Sequence, residues 1–153
     1  MKFITDRTLG KLAKALRMLG YDTLYFQSED FHQLIHLARQ EGRIILTRNT
    51  KLALRRPQDR ILTLTEDRPS QQVKELIKKG YLSLSEESFF TRCLLCNVPL
   101  EEIPRNQAEG KVPDFIFHQH KFFYRCHRCD RIYWPGSHLE NMQKRVKELR
   151  SEI

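Results

Sequence analysis

The four cysteines form two pairs, Cys93/Cys96 and Cys126/Cys129, each spaced Cys-x-x-Cys and separated by 29 residues. Such a turn puts two sulfurs within reach of one ion, and two turns supply the four thiolates that complete a tetrahedral zinc site. Two disulfides or four free thiols are the alternatives, and a reducing compartment disfavours the former. Four thiolates leave no open position, so the expected Zn²⁺ is structural. His127, inside the second pair, is expected to be exposed. His118 and His120 alternate as if on one face of a strand.

A second group is acidic. Asp6, Glu29, Asp30, Asn49 and Asp67 each follow a short β-like run and precede a helical pattern. In an open parallel sheet, ligands bind at those strand ends. Carboxylates there could share Mg²⁺ or Mn²⁺, which activates water against a phosphodiester. Asp6, Asp30, Asn49 and Asp67 are the candidate catalytic set, with Asp6 and Asp30 as metal ligands. Each also has a structural reading. Asp6, Asp30 and Asn49 suit helix N-caps, Asp30 and Gln33 have capping-box spacing, and Ser70 would cap the third long helix. Arg7, Lys11, Arg48, Arg55, Arg56 and Arg68 lie nearby in sequence and suit a nucleic-acid backbone.

The elements that must position these groups are legible as alternation. Strands are expected at 2–5, 22–26, 43–47 and 60–64. Helices are expected from about Leu9 to Leu19, over Phe31–Gln40 and Lys51–Arg55, and over Ser70–Lys79, with Gly20, Gly42 and Gly80 as stops. Strands alternating with helices over short connections predict a parallel α/β sheet covered on its faces. Past residue 81 the chain turns to Pro, Cys and aromatics, with strand-like pieces at Asp114–Phe117 and Lys121–Tyr124. A last helix is expected over Leu139–Arg150, opened by Ser137 and Glu140 at capping-box spacing. The expected domains are 1–82 and 89–153.

The 153 residues carry 27 Lys and Arg against 19 Asp and Glu, a formal charge of +8. Such a surplus fits a polyanionic partner or ordinary solubility charge. Mean hydropathy is −0.58, and no apolar run approaches the roughly 18 residues of a membrane span. MKFITDRTLGK has no apolar signal core, so a cytoplasmic location is expected.

The stretches FITDRTLGKLAKALRMLGYDT, EGRIILTRN, FFTRCLLCNVPL and YRCHRCDRIYWPGSH resemble the Mut-seven C-terminal RNase domain family. The resemblance implies a PIN-like nuclease fold followed by a zinc ribbon. It matches Asp6 and Asp30 to family acids and the four cysteines to ribbon ligands. The family usually reads Thr-Arg-Asp where this chain has Thr47-Arg48-Asn49, so the site is one negative charge short. The implied function is an RNA-directed protein, a Mg²⁺- or Mn²⁺-dependent ribonuclease with a structural zinc ribbon. The alternative is a non-catalytic single-stranded RNA-binding module with a degenerate acidic site. In that module Tyr133 and Trp134 would stack bases, with Arg125, Arg128 and Arg131 on the backbone; both aromatics could instead fill the ribbon core. A protein-docking ribbon is a third reading. His138 has no assigned role.

Overall fold

The computed structural model describes residues 1–152, and Ile153, the last residue of the expected second domain, lies outside them. The first half alternates β1 (Phe3–Thr5), α1 (Gly10–Met18), β2 (Thr23–Tyr25), α2 (Phe31–Glu41), β3 (Ile44–Thr47), α3 (Thr50–Arg55), β4 (Ile61–Thr63) and α4 (Pro69–Lys78). The four strands form one parallel sheet in the order β2-β1-β3-β4. This is the α/β sheet with flanking helices that the alternation predicts.

Strand periodicity sorts the side chains into two layers. Phe3, Ile44 and Leu46 face Leu12 and Leu16 of α1 and Val73 and Leu76 of α4. Ile4 and Ile45 face Leu34, Ile35 and Ala38 of α2 and Leu52 of α3. All of these side chains are buried, each contributing roughly 1.5–3 kcal/mol if large and aliphatic or aromatic.

The second half holds β5 (Glu101–Ile103), α5 (Asp114–Gln119), β6 (Phe123–Arg125), β7 (Ile132–Tyr133) and α6 (Ser137–Glu152). β5-β6-β7 form a small antiparallel sheet over Ile103, Ala108, Val112 and Phe123. α6 does not pack on that small core. Its Val146 is fully buried in the α/β core, with Leu139, Met142 and Leu149 packed beside it.

Three local expectations are corrected. Asp114–Phe117 is helical: Pro113 holds the position before the first helical residue, and a short helix follows that turns Ile116 and Phe117 onto the ribbon core. His118 and His120 therefore lie at a helix end and not on a strand face. Ser70 does not cap α4: Arg68 holds that place, with Pro69, whose fixed φ suits the first helical position, next to it. Ser137 is likewise the first residue of α6 and not its cap, and the Gly136 carbonyl accepts from Leu139 and Glu140 N–H.

Gly20 is required where the two halves meet. It has φ +96°, and a Cβ there would strike the Ser88 carbonyl oxygen and lie 2.7 Å from the Ser88 Cβ.

Candidate functional site

The two Cys-x-x-Cys turns fold alike. In the first, the Cys96 N–H donates to Cys93 Sγ at 3.4 Å and the Asn97 N–H to the Cys93 carbonyl at 2.9 Å. In the second, Cys129 N–H donates to Cys126 Sγ at 3.5 Å and Asp130 N–H to the Cys126 carbonyl at 2.8 Å. The residue closing each turn is left-handed, Asn97 at φ 63° and Asp130 at φ 61°. Asn and Asp are the non-glycine residues that tolerate that region best.

All four Sγ atoms lie within 4.8 Å of one another, and none is in a disulfide. Cys93 and Cys129 Sγ are 3.7 Å apart. A Zn–S bond of about 2.3 Å in a tetrahedron requires about 3.8 Å between sulfurs, so the donor set fits zinc in type, number and spacing. His127 is exposed and stands outside the cluster.

Burial pushes the Cys93 thiol up, but hydrogen bonds from the Tyr133 hydroxyl and the backbone amides of Cys96 and Leu95 outweigh it and hold the group at about 6. Cys96 is pushed up to about 12 by desolvation and by its bonds to the neighbouring sulfurs. A metal bound by the four sulfurs would displace the thiol protons.

The first turn is fastened to the α/β sheet. Arg17 of α1 donates to the Leu94 and Leu95 carbonyls at 2.8 and 3.3 Å. Asn97 accepts from the Thr23 N–H at 2.9 Å and donates to Asp22 Oδ1 at 2.7 Å. Arg43, buried on the other side, also donates to Asp22 at 2.8 Å. Neither Asn97 nor Arg17 was singled out by spacing. Asn directly after a Cys-x-x-Cys was the available signal for the first.

The acidic residues follow the ends of their strands. β1 leads to β2 on one side and lies beside β3 on the other, so the β1/β3 ends form the sheet's switch point. Asp6 follows β1 there and is only 7% exposed. Its Oδ1 accepts from the Thr8 N–H at 2.9 Å and from the Thr8 hydroxyl, and its Oδ2 accepts from Thr47 Oγ1 at 2.6 Å. The same Thr47 oxygen accepts from the Asn49 N–H at 3.0 Å. Thr8 and Thr47 were missed in the sequence, although both are hydroxyls flanking acidic or amide candidates.

Asp30 caps α2 through the His32 and Gln33 N–H groups, and Asn49 caps α3 through the Lys51 N–H. Asp30 and Asn49 share the wall of an open depression of about 570 Å³ with His32, Lys51, Arg55 and Arg56. Asp6 does not line it. Asp67 is exposed in the β4–α4 loop. Among the described residues, the cysteine quartet is the one group of three or more Cys, His, Asp or Glu close enough to share an ion.

Of the candidate nucleic-acid contacts, Arg7 pairs with Glu29 at 2.7 Å on the surface, and Arg48 reaches the Thr65 carbonyl at 3.4 Å. Lys11, Arg128 and Arg131 are exposed, and Trp134 is half-buried against the ribbon core. No helix among the described residues is long and apolar enough to cross a membrane.

The human protein described as "Exonuclease mut-7 homolog" is 34% identical over an alignment of 101 residues that covers 63% of this chain and 12% of that protein. This chain therefore corresponds to a small part of that relative. A family model described as the Mut7-C RNAse domain matches residues 1–146, across the parallel sheet, both cysteine turns and most of α6. The chain belongs to the Mut7-C RNAse domain family.

Proposed function

We propose that the protein is an RNA-directed, Mg²⁺- or Mn²⁺-dependent ribonuclease in which a zinc ribbon with a C-terminal helix, 89–153, serves an α/β catalytic unit formed by 1–82. The observation that carries the reading is Asp6, a carboxylate buried at the switch point of a parallel sheet in a chain of an RNase-domain family. Asp6 and Asp30 would hold the cation, with the Asn49 amide oxygen as a neutral ligand and Asp67 at the outer edge. These are hard oxygen donors of the kind such ions take: Oδ2 of Asp30 accepts no hydrogen bond among the described residues, and Oδ2 of Asp6 accepts one and keeps a second lone pair for a metal. When bound, the cation supplies an activated water and charge stabilisation at phosphorus. The chain's own part is positional. Thr8 and Thr47 fix the Asp6 carboxylate, and Arg48, Arg55 and Arg56 offer positive charge to the backbone of single-stranded RNA. Four cysteines hold the structural Zn²⁺.

A non-catalytic RNA-binding protein is the second reading, favoured by Asn49, whose side chain is engaged as the α3 cap. Cleavage of labelled single-stranded RNA in Mn²⁺ or in EDTA separates the two. Asp6→Asn should cut the rate about a hundredfold or more, the effect of losing several kcal/mol of charge stabilisation. Asn49→Asp should raise it at least about fivefold, since one added charge near a cation is worth about 1–4 kcal/mol under partial screening. Equal rates in all three proteins would discard the catalytic reading.

A further inference from the structure

A cavity of about 350 Å³ lies where α1, the ribbon and the start of α6 meet, and none of the strand-end acids lines it. Its walls include the aromatic residues Phe90, Tyr133 and Trp134, together with Leu94, Lys14 and His138. We propose that this cavity seats one unstacked base of single-stranded RNA, with Lys14 on the adjoining phosphate. The proposal rests on the RNA-directed reading above and adds to it a binding site outside the acidic rim.

Four observations support a ligand here. The volume is that of a small-molecule site and exceeds what a single nucleobase needs. The polar groups are uncommitted: Lys14, His138 and the Trp134 indole take part in no hydrogen bond or ion pair among the described residues, and Lys14 and His138 are exposed. The Tyr133 hydroxyl, by contrast, is engaged with Cys93 Sγ and the Leu94 N–H, which leaves its ring as what it can offer a ligand.

Backbone strain is the third. Phe90 is held at φ 56°, a left-handed conformation uncommon for an aromatic residue, by its N–H bond to the Met18 carbonyl at 2.9 Å. The fourth is Gly136, where an added Cβ would lie 3.2 Å from the Trp134 ring, so a side chain there would crowd the indole. Aromatic faces that stack bases, combined with positive charge along the backbone, are how single-stranded nucleic acid is held. An acidic peptide would find one lysine here and no second cation on the wall. Because Leu94 lies within one cysteine turn and Tyr133 bonds to Cys93, the zinc cluster builds one wall of the cavity.

Trp134 is the chain's single tryptophan and reports directly on this site. The zinc-loaded full chain is titrated with a short oligoadenylate while its emission is followed, and binding of the same oligonucleotide, labelled, is measured in parallel by anisotropy. Heparin serves as a polyanion without bases. The expected result is quenching of Trp134 by the RNA and not by heparin. Phe90→Leu, which keeps an apolar side chain but removes the ring, should weaken the quenching titration about five- to a hundredfold. Lys14→Glu should weaken it severalfold and lower the slope of log affinity against log salt by about one. If labelled RNA binds while Trp134 emission stays constant, or if both variants bind like wild type, the cavity is not the base site although the RNA-directed reading stands. Equal quenching by heparin would make it a polyanion site and overturn base recognition. No binding at low salt would remove both.

Discussion

Asp6 uses its two oxygens differently, one to start the first helical turn and one to tie β1 to β3. The second bond comes from Thr47, whose single hydroxyl donates to Asp6 Oδ2 and accepts from the Asn49 N–H. Thr47 is fully buried, so both partners lose their satisfaction if that oxygen is removed. Thr47→Val, close to isosteric, should therefore cost about 1–3 kcal/mol of stability in chemical denaturation. It should also lower any metal-dependent cleavage, because one side of Asp6 is then free to turn. Loss of stability without loss of cleavage would make Thr47 purely structural. The hydroxyl-to-carboxylate pairing was not legible in the sequence. Threonine at a strand end is common for β-propensity alone, and Asp6 and Thr47 are 41 positions apart.

Among elements, the junction between β2 and the first cysteine turn depends most on single side chains. Asn97 combines a left-handed backbone with a buried hydrogen bond from Thr23 and a part-buried one to Asp22. These requirements can be separated. Asn97→Gly keeps the backbone freedom and loses the bonds, whereas Asn97→Ala loses both and should be less stable by about a further 1 kcal/mol. Equal melting of the two variants would show that the turn carries no backbone demand. Asp22 makes the same junction sensitive to acid. Burial raises its carboxyl, but the hydrogen bonds from Arg43 and Asn97 and the charges of Arg43 and Arg92 bring it below the usual carboxylate range. A carboxyl depressed in the folded state stabilises the fold above its unfolded value, near 3.9, and that contribution is lost as pH falls through the folded value. Asp22→Asn should lower stability at neutral pH and flatten the acid limb below about pH 4; an unchanged acid limb would place the sensitivity elsewhere. The elements themselves were largely legible. FIT and IILT are apolar runs too short for helices, and the amphipathic spacing of α1, α2 and α4 survives intact. α5 was not, because DFIF is a short run of aromatic and β-branched residues of the kind strands favour, and only packing of Ile116 and Phe117 on the ribbon core decides for the helix.

At the scale of the whole molecule, the two halves are unequal in what holds them. The α/β half has two buried layers on a shared sheet. Among the described residues the ribbon's own apolar core has four buried side chains beside the buried Cys93 and Cys126, too few to order a segment of this size without a metal. α6 crosses back from the ribbon and places Val146 in the α/β core, so the chain enters the ribbon from α4 and leaves it again to the same core. The capping-box spacing of Ser137 and Glu140 announced a helix there, but not which half would bury it, since an apolar stripe does not name its partner. Removal of zinc should therefore divide the molecule by region. A chelator is expected to loosen the ribbon, changing Trp134 emission and exposing amides of β5, β6 and β7 to hydrogen exchange. The amides of β1 and β3, buried between two layers, should remain protected, and most helical signal should persist. Because Arg17 and Asn97 fasten the first cysteine turn to α1 and β2, protection at Thr23, whose N–H bonds to Asn97, should fall with the ribbon and not with the central strands. Metal analysis finding no zinc in protein purified without chelator would sink the structural role. Zinc that leaves without any change in Trp134 emission or in β6 exchange would show that the ribbon folds on its small core alone.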